Sequence, residues 1–182
     1  MKMNTPNKLT ILRVIMIPFF VACMLVPFAD GANKWIALAI FVIASLTDWF
    51  DGYLARRDNL VTDFGKFMDP LADKMLVGAA MICMVSIGTL PAWIVIVIIS
   101  REFIISGFRL IAADNGIVIA ASWWGKIKTA TQMVMIIVVI ADLGGPVFYI
   151  IGQILIYASL IFTVISLVDY LIKNKKVLRM QA

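Results

Sequence analysis

The sequence predicts an all-α integral membrane protein built from six transmembrane helices, and three observations predict it. Of its 182 residues, 63% are hydrophobic, and the mean hydropathy is +1.00. Soluble domains run near 45–50% apolar, so this chain belongs in a bilayer. Six apolar segments follow one another at about 7–28, 34–56, 67–88, 92–112, 127–143 and 146–172. At about 1.5 Å of rise per residue, each is long enough to cross a hydrocarbon core about 30 Å thick. The cations are distributed with one strong bias. Placing both termini on one side gives that side every Lys and Arg except Lys34. The positive-inside rule makes that side the cytoplasm and the protein a multi-pass component of the cell membrane. No soluble domain fits between the spans, so residues 1–182 form a single membrane domain.

The elements follow in order. Thr5-Pro6 has the pattern of a helix start, with Thr5 as N-cap and Pro6 in the first turn. The apolar run from Leu9 to Phe28 is too long for a signal peptide, contains Arg13 and lacks a small-residue cleavage site. The breaks between segments are turn-rich: Asp30-Gly31-Ala32-Asn33, Arg57 to Phe64, Gly88-Thr89-Leu90-Pro91, Asp114-Asn115-Gly116 and Gly144-Gly145-Pro146. Trp35, Trp93, Trp123 and Trp124 fall near segment ends, where interfacial tryptophans anchor a span. Between Asn115 and Trp124 the connection is unusually apolar, and is expected to lie at the interface or to fold over the site. The basic tail from Lys173 to Arg179 suits anionic lipid headgroups. Cys23 and Cys83 lie in apolar runs without metal-type spacing and read as small buried hydrophobes.

Composition also excludes chemistry. There is no histidine, which removes imidazole catalysis and imidazole metal ligands and leaves carboxylates as the available bases. The net charge of +5 lies along one membrane face, which argues against nucleic acid as its partner.

The stretch from Asp48 to Asp73 carries the chemistry. Asp48 and Asp51 are spaced i, i+3 on the second predicted helix, and Asp69 and Asp73 are spaced i, i+4 on the third. Each pair therefore shares a helix face. Counted from Arg56, Asp51 lies about 7 Å and Asp48 about 12 Å below the cytoplasmic end. Counted from Lys66, Asp69 lies about 4 Å and Asp73 about 10 Å deep. On two helices of opposite direction, deep meets deep and shallow meets shallow. Four carboxylates in one small volume repel each other, and each ionised group at membrane depth costs about 2.5–3.5 kcal/mol. Two hard divalent cations, Mg2+ or Mn2+, relieve both problems, as in phosphoryl-transfer sites. Gly52, Ala55 and Gly65 leave room for a ligand against the helix backbones, or for close helix packing. Arg56 is placed to meet phosphate.

The run D-x-x-D-G-x-x-A-R-x8-G-x-x-x-D-x-x-x-D, complete from Asp48 to Asp73, resembles the signature of the CDP-alcohol phosphotransferase family. Three flanking segments extend the resemblance over nearly the whole chain: Pro6-Asn7-Lys8-Leu9-Thr10 to Arg13, Arg101-Glu102 to Arg109, and Ala121 to Thr129 with Gly125, Lys126 and Lys128. They resemble the branch of that family whose acceptor is sn-glycerol 3-phosphate. The resemblance implies transfer of a phosphatidyl group from CDP-diacylglycerol to an alcohol, with release of CMP. It implies that Asp48, Asp51, Asp69 and Asp73 bind the metals and that Asp73 is also the catalytic base. It implies a nucleotide pocket at Gly52, Ala55, Arg56 and Gly65. It further implies six helices around a polar cavity open to the cytoplasm, and a homodimer.

The remaining cations need an assignment. Arg101, Arg109, Lys126 and Lys128 are candidates for the phosphate of an anionic acceptor, because a dianion entering a cavity lined by carboxylates must be compensated. An ion pair of Arg101 with Glu102 and ordinary positive-inside lysines are the structural alternatives. Asn7, Thr10, Arg13 and Glu102 are candidates for the cavity wall. Two competing functions remain open: the same transfer to inositol phosphate, serine or another acceptor, and a divalent-cation transporter. A transporter would distribute its acids along a path between related halves, whereas these cluster near one face.

Overall fold

The computed structural model describes residues 5–27, 31–57, 63–114, 116, 117, 119 and 122–175. The side chains of 5–7, 48–57, 63–67, 69 and 70 lie outside the described set. The described residues form six helices and no strand: α1 Thr5–Leu25, α2 Asn33–Arg57, α3 Asp63–Ser86, α4 Ala92–Asp114, α5 Trp123–Ala141 and α6 Gly145–Lys173. Each predicted segment is a helix. Three of them, α1, α5 and α6, are long and apolar enough to cross a membrane by length and composition alone. The two helices that bear the acidic signature, α2 and α3, are the least apolar of the six.

The ends differ from the sequence reading for local reasons. α1 stops at Leu25 because Pro27 disfavours helical geometry in the residue before it. α5 begins at Trp123, four residues early, because the Ser122 hydroxyl accepts a hydrogen bond from the Gly125 amide at 3.1 Å and caps the helix. Two helices end in the same glycine-dependent closure. After α3, Gly88 has φ +76, its amide bonds to the Val85 carbonyl, and the Thr89 amide bonds to the Met84 carbonyl. After α4, Gly116 has φ +71, with Gly116 N–H to Ala113 and Ile117 N–H to Ala112. This is the Schellman arrangement, in which a left-handed residue lets its own amide and the next one satisfy orphan carbonyls. All four helix-start tryptophans lie in the first turns of α2, α4 and α5, as the segment-end placement anticipates.

The chain divides into two compact units, residues 1–89 and 90–182. In the first, α1 packs on α2 and α3. Ala37, Phe41 and Ala44 form the buried face of α2, and the Phe41 ring meets Phe20 of α1 with centroids 6.0 Å apart. Ala72, Leu76, Ala80, Cys83 and Met84 form the buried stripe of α3 at helical spacing. Small residues on both helices let backbones approach, which is how helices associate in lipid. Cys23 and Cys83 are free thiols buried in this core.

In the second unit, α6 packs against α5 and α4. Its buried face is Gly152, Ile156, Ser159, Thr163, Ser166 and Tyr170, an alternation of four and three residues. α4 buries Ile94, Val95, Ile98, Arg101, Ile105, Phe108 and Ala112, and α5 buries Lys128, Gln132, Met135, Ile136 and Ile140. Apolar side chains such as Phe103, Leu110, Val147 and Tyr149 point outward, as lipid-facing positions do. Ile117 and Ile119 pack against Ile105, Phe108, Ala112 and Tyr170.

Candidate active site

The acidic signature occupies two consecutive helices of the first unit. Asp48 and Asp51 lie in α2, and Asp69 and Asp73 lie in α3. Asp73 is half-buried between the buried Ala72 and Leu76 of the α3 stripe. The side chains of Asp48, Asp51, Gly52, Ala55, Arg56, Gly65, Asp69 and Asn7 fall outside the described set. The donor set itself fits hard divalent cations: four carboxylates offer only oxygen, in helical registers that present each pair on one face. Among the described residues no group of three or more His, Cys, Asp or Glu side chains comes together. Asp73 is the sole member of the four that can be counted there.

In the same unit, α1 contributes two fully buried polar residues. Thr10 is 0% and Arg13 1% exposed, one helical turn apart. The Arg13 Nε donates to the carbonyl oxygen of Ala44 at 3.2 Å. Ala44 lies four residues before Asp48, so Arg13 ties α1 to α2 one turn from the first acid of the signature.

The second unit gathers a charged cluster from three helices. Glu102 of α4 accepts through one oxygen, Oε1, from both Arg101 Nη1 at 2.8 Å and Lys128 Nζ of α5 at 2.6 Å. Arg101 Nη2 donates to the Ser166 hydroxyl of α6. Arg101 is 7% and Lys128 3% exposed. Among the described residues, Arg101 Nε is buried without a hydrogen-bond partner. A Cβ added at Gly125 would stand 3.6 Å from Arg101 Nη2, 3.5 Å from Ser122 Oγ and 3.8 Å from Ser166 Oγ. The bare first turn of α5 therefore faces three polar groups. Backbone amides at a helix start also favour anions.

The other two cations lie elsewhere. Arg109 is exposed and stands over the Tyr170 ring, 6.0 Å from its centroid. Lys126 is exposed and stands over Trp123 at 5.8 Å. The structure thus brings Arg101, Glu102 and Lys128 together and keeps Arg109 and Lys126 on separate aromatic faces. The Arg101–Glu102 pair and the phosphate reading coexist, since the pair uses one edge of a guanidinium that has five N–H donors. Ser166 and Ser122 are members the sequence reading missed. The signal was present: Ser159, Thr163 and Ser166 mark one face of an otherwise apolar helix.

These placements have a known context. Residues 3–165 match the model of the CDP-alcohol phosphatidyltransferase family, and the chain belongs to that family. It is 44% identical to a Bacillus subtilis protein named CDP-diacylglycerol–glycerol-3-phosphate 3-phosphatidyltransferase, over 97% of each chain. A Haemophilus influenzae protein of the same name is also 44% identical, over 94% of this chain and 93% of its own. A Mycobacterium tuberculosis protein named probable phosphatidylglycerophosphate synthase is 41% identical, over 92% of this chain and 79% of its own.

Proposed function

We propose that this protein transfers the phosphatidyl group of CDP-diacylglycerol to sn-glycerol 3-phosphate, giving phosphatidylglycerol phosphate and CMP. The observation that carries this reading is likeness over nearly the full length to relatives that bear that activity in their names, with the acidic signature complete. A transporter has no support in this family, and the buried basic cluster favours a phosphorylated acceptor over serine.

Asp48, Asp51, Asp69 and Asp73 would hold two divalent cations. When bound, Mg2+ or Mn2+ would supply positive charge to screen the diphosphate and the departing CMP. Gly52, Ala55, Arg56 and Gly65 serve the cytidine nucleotide, with Arg56 on its phosphates. Arg101 and Lys128 hold the acceptor phosphate, with Arg109 and Lys126 as outer contributors. Asp73 takes the proton of the acceptor hydroxyl. The freed oxygen bonds to the phosphorus that carries the diacylglycerol, and the bond from that phosphorus to the CMP oxygen breaks. In-line transfer of this kind depends on positioning and charge rather than on a covalent enzyme intermediate.

The same reading puts all six helices across the cell membrane, both termini in the cytoplasm and two copies in a dimer. Cysteine labelling in a cysteine-free background tests the topology: probes at Lys2 and Gln181 should react only after permeabilisation. The activity test is purified protein in lipid vesicles with CDP-diacylglycerol and a panel of acceptors, read as CMP release. Release with sn-glycerol 3-phosphate supports the reading. Equal release with serine or free glycerol, or release with inositol phosphate alone, overturns it.

A further inference from the structure

We infer that Ser166 is a positioning residue for acceptor recognition: from α6 it fixes the orientation of the Arg101 guanidinium that grips the acceptor phosphate. The inference rests on the proposed acceptor site and adds to it a residue outside the sequence motifs. Arg101 is held from two sides. Its Nη1 donates to Glu102 on its own helix, and its Nη2 donates to the Ser166 hydroxyl on another. With one contact to each terminal nitrogen, the planar group cannot rotate about its long axis without breaking a bond. What remains is Nε, buried and without a partner among the described residues, in a residue that is 7% exposed.

A buried guanidinium donor left unmatched is costly. The unmatched Nε lies on the edge that, with Nη2, forms the two-pronged face arginine uses for phosphate. Ser166 bonds Nη2, so it sets where that face stands. Gly125 complements it, since a bare Cα beside Nη2 and the two serine hydroxyls leaves room for an incoming oxygen. Ser166 thus acts through Arg101 and is distinct from the groups that bind the donor.

Substitution separates this role from a packing role. In purified protein with saturating CDP-diacylglycerol, Ser166→Ala should raise the KM for sn-glycerol 3-phosphate about tenfold, the loss expected when a charge-assisted hydrogen bond is removed. The kcat and the KM for CDP-diacylglycerol should stay within about twofold. Ser166→Thr, which keeps the hydroxyl, should restore acceptor KM. Ser166→Val, which has the same shape without it, should not; this pair keeps the test sound if the alanine variant folds poorly. An unchanged acceptor KM in Ser166→Ala and Ser166→Val overturns the inference, as does equal loss in the Thr and Val variants. Arg101→Ala is the reference. If it raises acceptor KM while the Ser166 variants do not, only the positioning role fails; if it leaves acceptor KM unchanged, the acceptor site itself is misassigned.

Discussion

The acidic region of α2 and α3 and the basic cluster of α4, α5 and α6 are built in opposite ways. The acids come in pairs from single helices, at i, i+3 and i, i+4, so helical periodicity alone presents each pair on one face. The basic cluster takes Arg101 and Glu102 from α4, Lys128 from α5 and Ser166 from α6, and exists only once three helices pack. A site written in local register is visible in a sequence; a site written in tertiary contacts is visible only in a structure. The two also answer different needs. In the proposed reading the acids hold divalent cations taken from solution, whereas Arg101 and Lys128 share Glu102 within the protein.

The largest effect should come from the acids. Asp73→Asn keeps the shape of the side chain and removes the base, so kcat should fall about 10³-fold, within the range for general base catalysis. Binding of CDP-diacylglycerol should survive, which titration with a fluorescent donor analogue would detect. Near-normal turnover in Asp73→Asn would break the comparison by making the acidic region structural. Chelation is the companion experiment. Excess EDTA should abolish CMP release from the wild type, and Mg2+ or Mn2+ should restore it.

The basic side predicts a graded series. Arg101→Ala removes a buried charge with at least two hydrogen bonds, and acceptor KM should rise about 100-fold, equivalent to ~2.7 kcal/mol. Lys128→Ala should follow. Arg109→Ala and Lys126→Ala should cost at most about fivefold, because exposed cation–π contacts contribute only ~0.5–1 kcal/mol. A reversed order, with Arg109 dominant, would show that exposed cations and not the buried network receive the phosphate. The smallest effect should be purely conformational. Gly116→Ala meets no atom within 4 Å but must hold φ +71. It should lower stability by about 1 kcal/mol without altering either KM. Thermal unfolding and kinetics on the same preparation check both halves of that statement.

Much of the fold was legible because lipid imposes simple rules. Hydropathy located every helix, and Gly88, Gly116 and the Gly144-Gly145-Pro146 run marked their ends through backbone geometry that is local in sequence. The errors also have local causes. Gly125 and Lys126 fell in the connection before the predicted segment, yet the Ser122 cap starts α5 ahead of them. Candidate site residues were legible in proportion to how locally they are arranged. Asp48 to Asp73 form a contiguous pattern. Arg101 could be nominated as an intramembrane charge but not oriented, because its partners lie 65 residues away at Ser166 and, through Glu102, 26 residues away at Lys128. Nothing in sequence distance distinguishes Arg109 from Arg101; packing against Tyr170 rather than Glu102 does.

The ties that hold Arg101 bear on how the chain enters the bilayer. In the six-span reading, α4 must leave the insertion machinery with Arg101 and Glu102 near its middle, and each charge opposes partition by about 2.5–3.5 kcal/mol. On α4 alone the two have only each other, through the Arg101–Glu102 pair. Lys128 and Ser166 arrive only after 26 and 65 further residues have been synthesised. Until then α4 is a reluctant span, and α5 and α6, both long and apolar enough to cross a membrane by length and composition, supply what it lacks. The last three helices should therefore commit to the membrane as a group, and a chain truncated before α6 should leave α4 prone to slip back and be cleared by membrane proteases.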